Sequence, residues 1–98
     1  MKLIVITQYR ENYGYRWKNK GGDQYVVQVE NIDTLNALAA EVTKEVEYAN
    51  DMATNEVISW FVMGDSEPYP EEWYDVTVMT KVDGKWTRKH ERVPELAG

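Results

Sequence analysis

Apolar residues run unbroken through Leu3-Ile4-Val5-Ile6, between Lys2 and Thr7. A run without polar alternates predicts a strand covered on both faces, at the centre of a sheet. From Gln8 to Gly22 the pattern dissolves: neither strand nor helix periodicity holds, and Gly14 and the Gly21-Gly22 pair supply breakpoints. That stretch predicts a long connection or an irregular hairpin arm. Alternation resumes in Gln24-Tyr25-Val26-Val27-Gln28-Val29, a second strand with Tyr25, Val27 and Val29 on one face and Gln24, Val26 and Gln28 on the other.

The period then lengthens. Leu35, Leu38, Ala39, Val42, Val46 and Ala49 recur at helical spacing, with Asp33 as the expected N-cap, Ile32 as a staple and Asn50-Asp51 closing the helix near residue 50. At 1.5 Å per residue, about 16 residues give a helix of about 24 Å, long enough to lie across a small sheet. Glu56 to Met63 predicts a third, largely buried strand, ended by Gly64. Asp65 to Glu72 holds two prolines and four acids, which deny it ladder bonds and burial, so it predicts a loop. Trp73 to Val82 and Lys85 to Val93 then form a hairpin about Asp83-Gly84, a type I′ signal. That turn sets Val82 opposite Lys85 and therefore pairs Thr80 with Thr87, Thr77 with His90 and Asp75 with Arg92.

The expected fold class is α+β, in the order ββαβββ: a single mixed or antiparallel sheet of about five strands with one amphipathic helix packed on one face. A ferredoxin-like layout would need a second helix. Ninety-eight residues suffice for one core, so residues 1–98 read as one domain, with 94–98 expected to be a flexible tail.

Composition narrows the function classes. Four Trp and seven Tyr stand against one Phe, a balance that suits wet contact surfaces as well as a core. The absence of cysteine excludes disulfides and thiolate metal sites. The apolar run at the start is too short for a bilayer and lacks a cleavage pattern, so a cytoplasmic location without membrane association is expected. The net charge of −6 is segregated: residues 1–22 carry five Lys or Arg against one acid, residues 23–75 one against thirteen, and residues 76–98 five against three.

No enzymatic constellation emerges. His90, the sole histidine, has no ligand-spaced partner and reads as a solvated strand residue. Gly21-Gly22 precedes no phosphate-binding pattern, and Ser59 and Ser66 lie in no nucleophile motif. Asp65 with Glu67, and Glu71 with Glu72, read as solvated loop acids rather than acid/base pairs. The expectation is a protein that is not an enzyme and needs no metal or cofactor.

Two surfaces remain. Tyr9, Tyr13, Tyr15 and Trp17 interleave with Arg10, Arg16, Lys18 and Lys20, with Asn12 among them, a mixture able to stack on a planar group and grip an anion. The alternative is a second small core with its cations left in water. The other surface is acidic, formed by Glu41, Glu45 and Glu47 of the helix with Asp65, Glu67, Glu71 and Glu72 of the loop. It could mimic a phosphate array and occupy a basic groove, or serve solubility alone. Direct DNA binding is not expected, since the acidic middle would repel phosphates.

Ile6-Thr7-Gln8-Tyr9-Arg10-Glu11-Asn12-Tyr13-Gly14, then Trp17, Lys20-Gly21-Gly22 and Tyr25-Val26-Val27, resembles the start of a group of short bacteriophage-encoded proteins with a TQYxENYG pattern followed by an aromatic-Lys-Gly-Gly stretch. The likeness covers about the first quarter of the chain and brings no assigned activity. It implies a setting, the host cytoplasm, in which small accessory proteins bind and disable host restriction, CRISPR or signalling defences. The leading expectation is such an inhibitor, with a host protein as partner. The alternatives are a small-ligand binder or sponge for a signalling nucleotide through the aromatic and basic loop, and a structural homo-oligomer built on exposed strand edges.

Overall fold

The Leu3–Ile6 run lies inside a longer strand, β1 (Lys2–Asn12), and the computed structural model describes residues 1–93 around it. The expected tail at 94–98 lies outside the described residues. Next come β2 (Trp17–Asn19), β3 (Gln24–Gln28), a 3-10 turn (Ile32–Thr34), α1 (Leu35–Val46), β4 (Tyr48–Ala49), β5 (Ala53–Met63), β6 (Asp75–Val82) and β7 (Lys85–Arg92). Among the described residues, seven strand segments replace the expected five. They form one mixed sheet in the order β4-β5-β1-β3-β6-β7, with β2 continuing β3's side of β1.

β1 is central, as its unbroken apolar run requires. β3 and β5 both run antiparallel to it, one on each side, and are therefore parallel to each other. The link between them is α1, which crosses over one face of the sheet. Under it lie Leu3, Val5, Tyr25, Val27, Val29 and Met79, packed with Ala39, Val42 and Val46 of the helix. β6 runs parallel to β3 on the far side of β1, so the chain leaving β5 must traverse the sheet again. The helix occupies one face, and the loop of residues 64–74 takes the other. It lays Tyr69 and Trp73 against Ile4, Ile6, Val26, Met63, Val76 and Val93. The acidic loop is thus also the cover of a second core, with Trp73 packed 5.8 Å from Tyr69 and 6.4 Å from Phe61 between ring centroids.

The helix is shorter than its pattern. Asn31 rather than Asp33 supplies the cap, its Oδ1 accepting the Asp33 N–H at 2.9 Å at the start of the 3-10 turn. At the other end Asn55 Nδ2, buried, donates to the Val46 carbonyl at 2.9 Å and ends the helix there. Tyr48 and Ala49, which sequence periodicity places on the helix, instead turn extended and pair with Asn55 and Thr54. The terminal hairpin keeps the predicted register at Val82–Lys85, Thr80–Thr87, Thr77–His90 and Asp75–Arg92. Its turn residues Asp83 and Gly84 both adopt positive φ, 51° and 78°, as a type I′ turn demands.

The start of the covering loop is fastened to the N-terminus. Asp65 Oδ1 lies 3.0 Å from the terminal ammonium and accepts from Gln28 Nε2 at 3.1 Å. Hydrogen bonding to the ammonium, then to Gln28, holds the Asp65 carboxyl below its ordinary 3.8. A carboxyl lowered on folding adds stability above its unfolded value, and that stability is lost as pH falls through the lowered one. Asp65→Asn is therefore expected to melt below the wild type by a small margin near neutral pH, with the margin closing in acid. Paired thermal melts across pH would show it, and a margin that persists in acid would refute it.

Candidate functional site

The Tyr9-to-Lys20 stretch is a β-hairpin, the irregular arm of the two sequence readings. β1 runs on to Asn12, the chain turns through Tyr13–Arg16, and β2 returns with Arg10, Glu11 and Asn12 opposite Asn19, Lys18 and Trp17. Local chemistry makes the turn: Tyr13 N–H donates to the Arg16 carbonyl at 2.9 Å, and Gly14 N–H, at φ +94°, donates to Asn12 Oδ1 at 2.9 Å. Asn12 Nδ2 also donates to the Asp51 carbonyl at 2.9 Å, tying the arm to the segment before β5. Asn12 is thus a positioning residue of the arm rather than a free amide.

A kink at Gly21-Gly22 separates β2 from β3, so that β1 changes partners from one to the other along a single edge. Tyr9 exchanges bonds with Gly21 and Lys20, at 2.6 and 2.8 Å, and Thr7 N–H donates to the Asp23 carbonyl at 3.0 Å. Gly22 lies so close to β1 that a Cβ there would overlap the Thr7 carbonyl oxygen and sit 2.6 Å from its carbon.

Strand alternation splits the predicted loop residues between two faces. Tyr9, Tyr13 and Lys18 lie on the helix side, where Lys18 and Lys20 ammonium groups stand 6.0 and 5.9 Å from the Tyr13 ring centroid. Partial desolvation, then the Glu11 carboxylate, raises the Tyr9 phenol above its ordinary 10.0. Arg10 and Trp17 lie on the opposite face, and Tyr15 and Arg16 occupy the turn. The second-core alternative fails for the aromatics of the tip: Tyr13 is 47%, Tyr15 90% and Trp17 46% exposed.

At the base of the arm, on the face the loop leaves bare, Arg10 and Trp17 line an open groove of about 540 Å³ with Thr54 and Glu56 of β5 and Glu47, Tyr48 and Ala49 at β4. Sequence reasoning missed Tyr48, Thr54 and Glu56, because β4 was legible only as the end of a helix. Glu47, expected on an acidic surface, lies here, its Oε2 accepting the Val57 N–H at 2.9 Å. One guanidinium and two carboxylates give the groove mixed charge.

The seven predicted acids do not form one patch. Glu41 pairs with Lys81 and Arg88 reaches the Glu45 carbonyl, so that side of the helix is locked to β6 and β7. Glu47 lies at the groove, and Asp65, Glu67, Glu71 and Glu72 belong to the loop on the other face of the sheet. His90 faces Thr77, with Nδ1 and Oγ1 3.0 Å apart. Among the described residues no group of three or more His, Cys, Asp or Glu could hold a metal ion, and no helix is long and apolar enough to cross a membrane.

Fold and site together define a small α+β domain with a single mixed sheet, a protruding aromatic and basic hairpin arm and a mixed-charge groove at its base. The chain matches no protein-family model, no curated protein and no solved structure.

Proposed function

We propose that this chain is a non-enzymatic accessory protein of phage type that acts by contact, binding and inhibiting a host protein through its hairpin arm. The observation that carries this reading is the state of the tip: Tyr13, Tyr15 and Trp17 stand in water on an ordered, hydrogen-bonded hairpin, flanked by Arg16, Lys18 and Lys20. Exposed aromatics with cations around them are the composition of interface hot spots, and a preformed hairpin loses little entropy on docking. The basic charge of the arm suits an acidic patch on the partner. Mimicry of nucleic acid by the acidic residues is the weaker route, since they are divided between two faces of the sheet.

The test is capture from host lysate at low and moderate salt with wild type, a Tyr15→Ala/Trp17→Ala chain and a Glu41→Lys/Glu45→Lys chain. Loss of two hot-spot aromatics is expected to weaken a purified pair by roughly 30-fold or more. The helix variant should keep its affinity. Wild type that returns no stoichiometric partner at either salt sinks the proposal, and loss of binding only in the helix variant transfers it to the acidic side.

The groove supports a second reading, a binder of a small ligand. Arg10 and Trp17 could grip an anion and a ring, but Glu47 and Glu56 oppose a nucleotide's phosphates and favour a ligand carrying both charges. Native mass spectrometry of protein taken from infected cells should then show a bound small mass, removed by Arg10→Ala. Apo protein there, with no thermal shift against nucleotides or amino acids, would end it.

A further inference from the structure

The two edges of the sheet are unlike. β7, at one edge, reads Lys85-Trp86-Thr87-Arg88-Lys89-His90-Glu91-Arg92, a charged guard against pairing with another strand. β5 lies next to the other edge, and the chain closes only the lower part of it. β4 covers Thr54 and Asn55, and the Glu47 carboxylate takes the Val57 N–H. From Ile58 to Met63 nothing among the described residues pairs the outer side of the strand, and the stretch holds no charge and no proline. Ile58 is 57%, Trp60 40% and Phe61 40% exposed.

The direction of the backbone follows from the register. Thr7 gives its N–H to Asp23 on the β3 side of β1, so alternation turns Ile6 toward β5. Its partner Ser59 therefore faces β1, and Trp60 and Val62 direct N–H and C=O groups outward.

We propose that the β5 edge from Ile58 to Val62 is the interface of a two-fold symmetric dimer of this chain, with Trp60 hydrogen-bonded across the axis to Trp60 of the second copy. Antiparallel pairing about Trp60 sets Ser59 opposite Phe61 and brings Ile58, the extra residue of a bulge in β5, beside Val62, so no like charges meet. Glu56 falls opposite Gly64, and the paired stretch stops before β4. The contact closes on itself, as an isologous interface must. A second copy is favoured over a foreign strand because the stretch is self-complementary in this register and neutral throughout. The contact is small beside the usual roughly 800 Å² per partner, so the dissociation constant falls on the order of 1–100 µM. This dimer does not depend on the arm having a partner.

Sedimentation over roughly 5–500 µM tests it, bracketing that affinity. Wild type should pass from monomer to dimer, with little effect of salt, and Trp60→Lys should stay monomeric with an unchanged circular dichroism spectrum. The register has its own test in a chain without cysteine. Trp60→Cys puts two thiols opposite each other at a Cα separation of about 5.5 Å, within disulfide reach, and should cross-link on mild oxidation. Ile58→Cys, whose two copies lie four residues apart along the strand, should not. A wild type that remains monomeric throughout overturns the proposal and leaves the edge to a strand from another protein. A dimer that survives Trp60→Lys, or equal cross-linking at 58 and 60, overturns it as well.

Discussion

Gly22→Ala is expected to destabilise the protein by at least about 3 kcal/mol and to release the arm from the sheet. The added Cβ would overlap the Thr7 carbonyl oxygen, which is backbone and cannot rotate away. Nor can β1 retreat, because on its other side Thr7 is in register with Val57 of β5. The clash can be relieved only by breaking the Thr7–Asp23 and Tyr9–Gly21 bonds that seat the return arm. Urea denaturation gives the magnitude, and faster amide exchange at Thr7 and Tyr9 shows where the loss lies. Gly21→Ala is the control. Gly21 has φ +89° with open space around it, so alanine there should cost only the left-handed penalty, about 1–2 kcal/mol. Equal losses at the two positions would rule out the close approach as the cause. The sequence shows the pair as a breakpoint. The structure separates it into one glycine kept for its dihedral and one for its missing side chain.

Ile4→Ala is expected to cost about 2–5 kcal/mol, as much as Leu3→Ala beside it. Both residues are 0% exposed, but they point to opposite faces of β1. Leu3 lies under α1, as any helix-on-sheet fold would have it. Ile4 lies under the loop, among Val26, Met63, Val76, Tyr69 and Trp73. If the loop were a solvated acidic excursion, as its prolines and carboxylates imply, Ile4 would face water and its truncation would cost well under about 1 kcal/mol. A domain of this size holds about 5–15 kcal/mol in total, so losses of the predicted size should lower the melting temperature by roughly 10 °C or more. Trp73→Ala should reproduce much of the Ile4→Ala loss, because it removes the cover while leaving the strand intact.

These results bear on function because the same packing positions the arm and the two open surfaces. The loop covers the β1–β3–β6 part of the bare face and leaves Arg10, Trp17 and Glu56 uncovered at the other end. α1 ends at Val46 because Asn55 takes its last carbonyl, which frees Glu47 to close the β5 edge and Tyr48–Ala49 to pair beside it. The groove and the open Ile58–Val62 edge both begin at that corner.

Local sequence determined what local physics can decide. The β6–β7 register followed from Asp83-Gly84, since a two-residue turn leaves one pairing. The faces of β3 followed from its alternation, and the central place of β1 from its unbroken apolar run. What the tertiary structure alone decided are pairings between residues far apart in the chain. Helical periodicity continued through Ala49, but a buried Asn55 six residues further on offered the Val46 carbonyl a better partner, and the chain there became strand. The strand order placed β5 and β6 on opposite sides of β1, and with the helix already on one face the acidic loop was left to cover the other. No local propensity encodes either outcome, because each depends on which face and which edge the rest of the sheet had already filled.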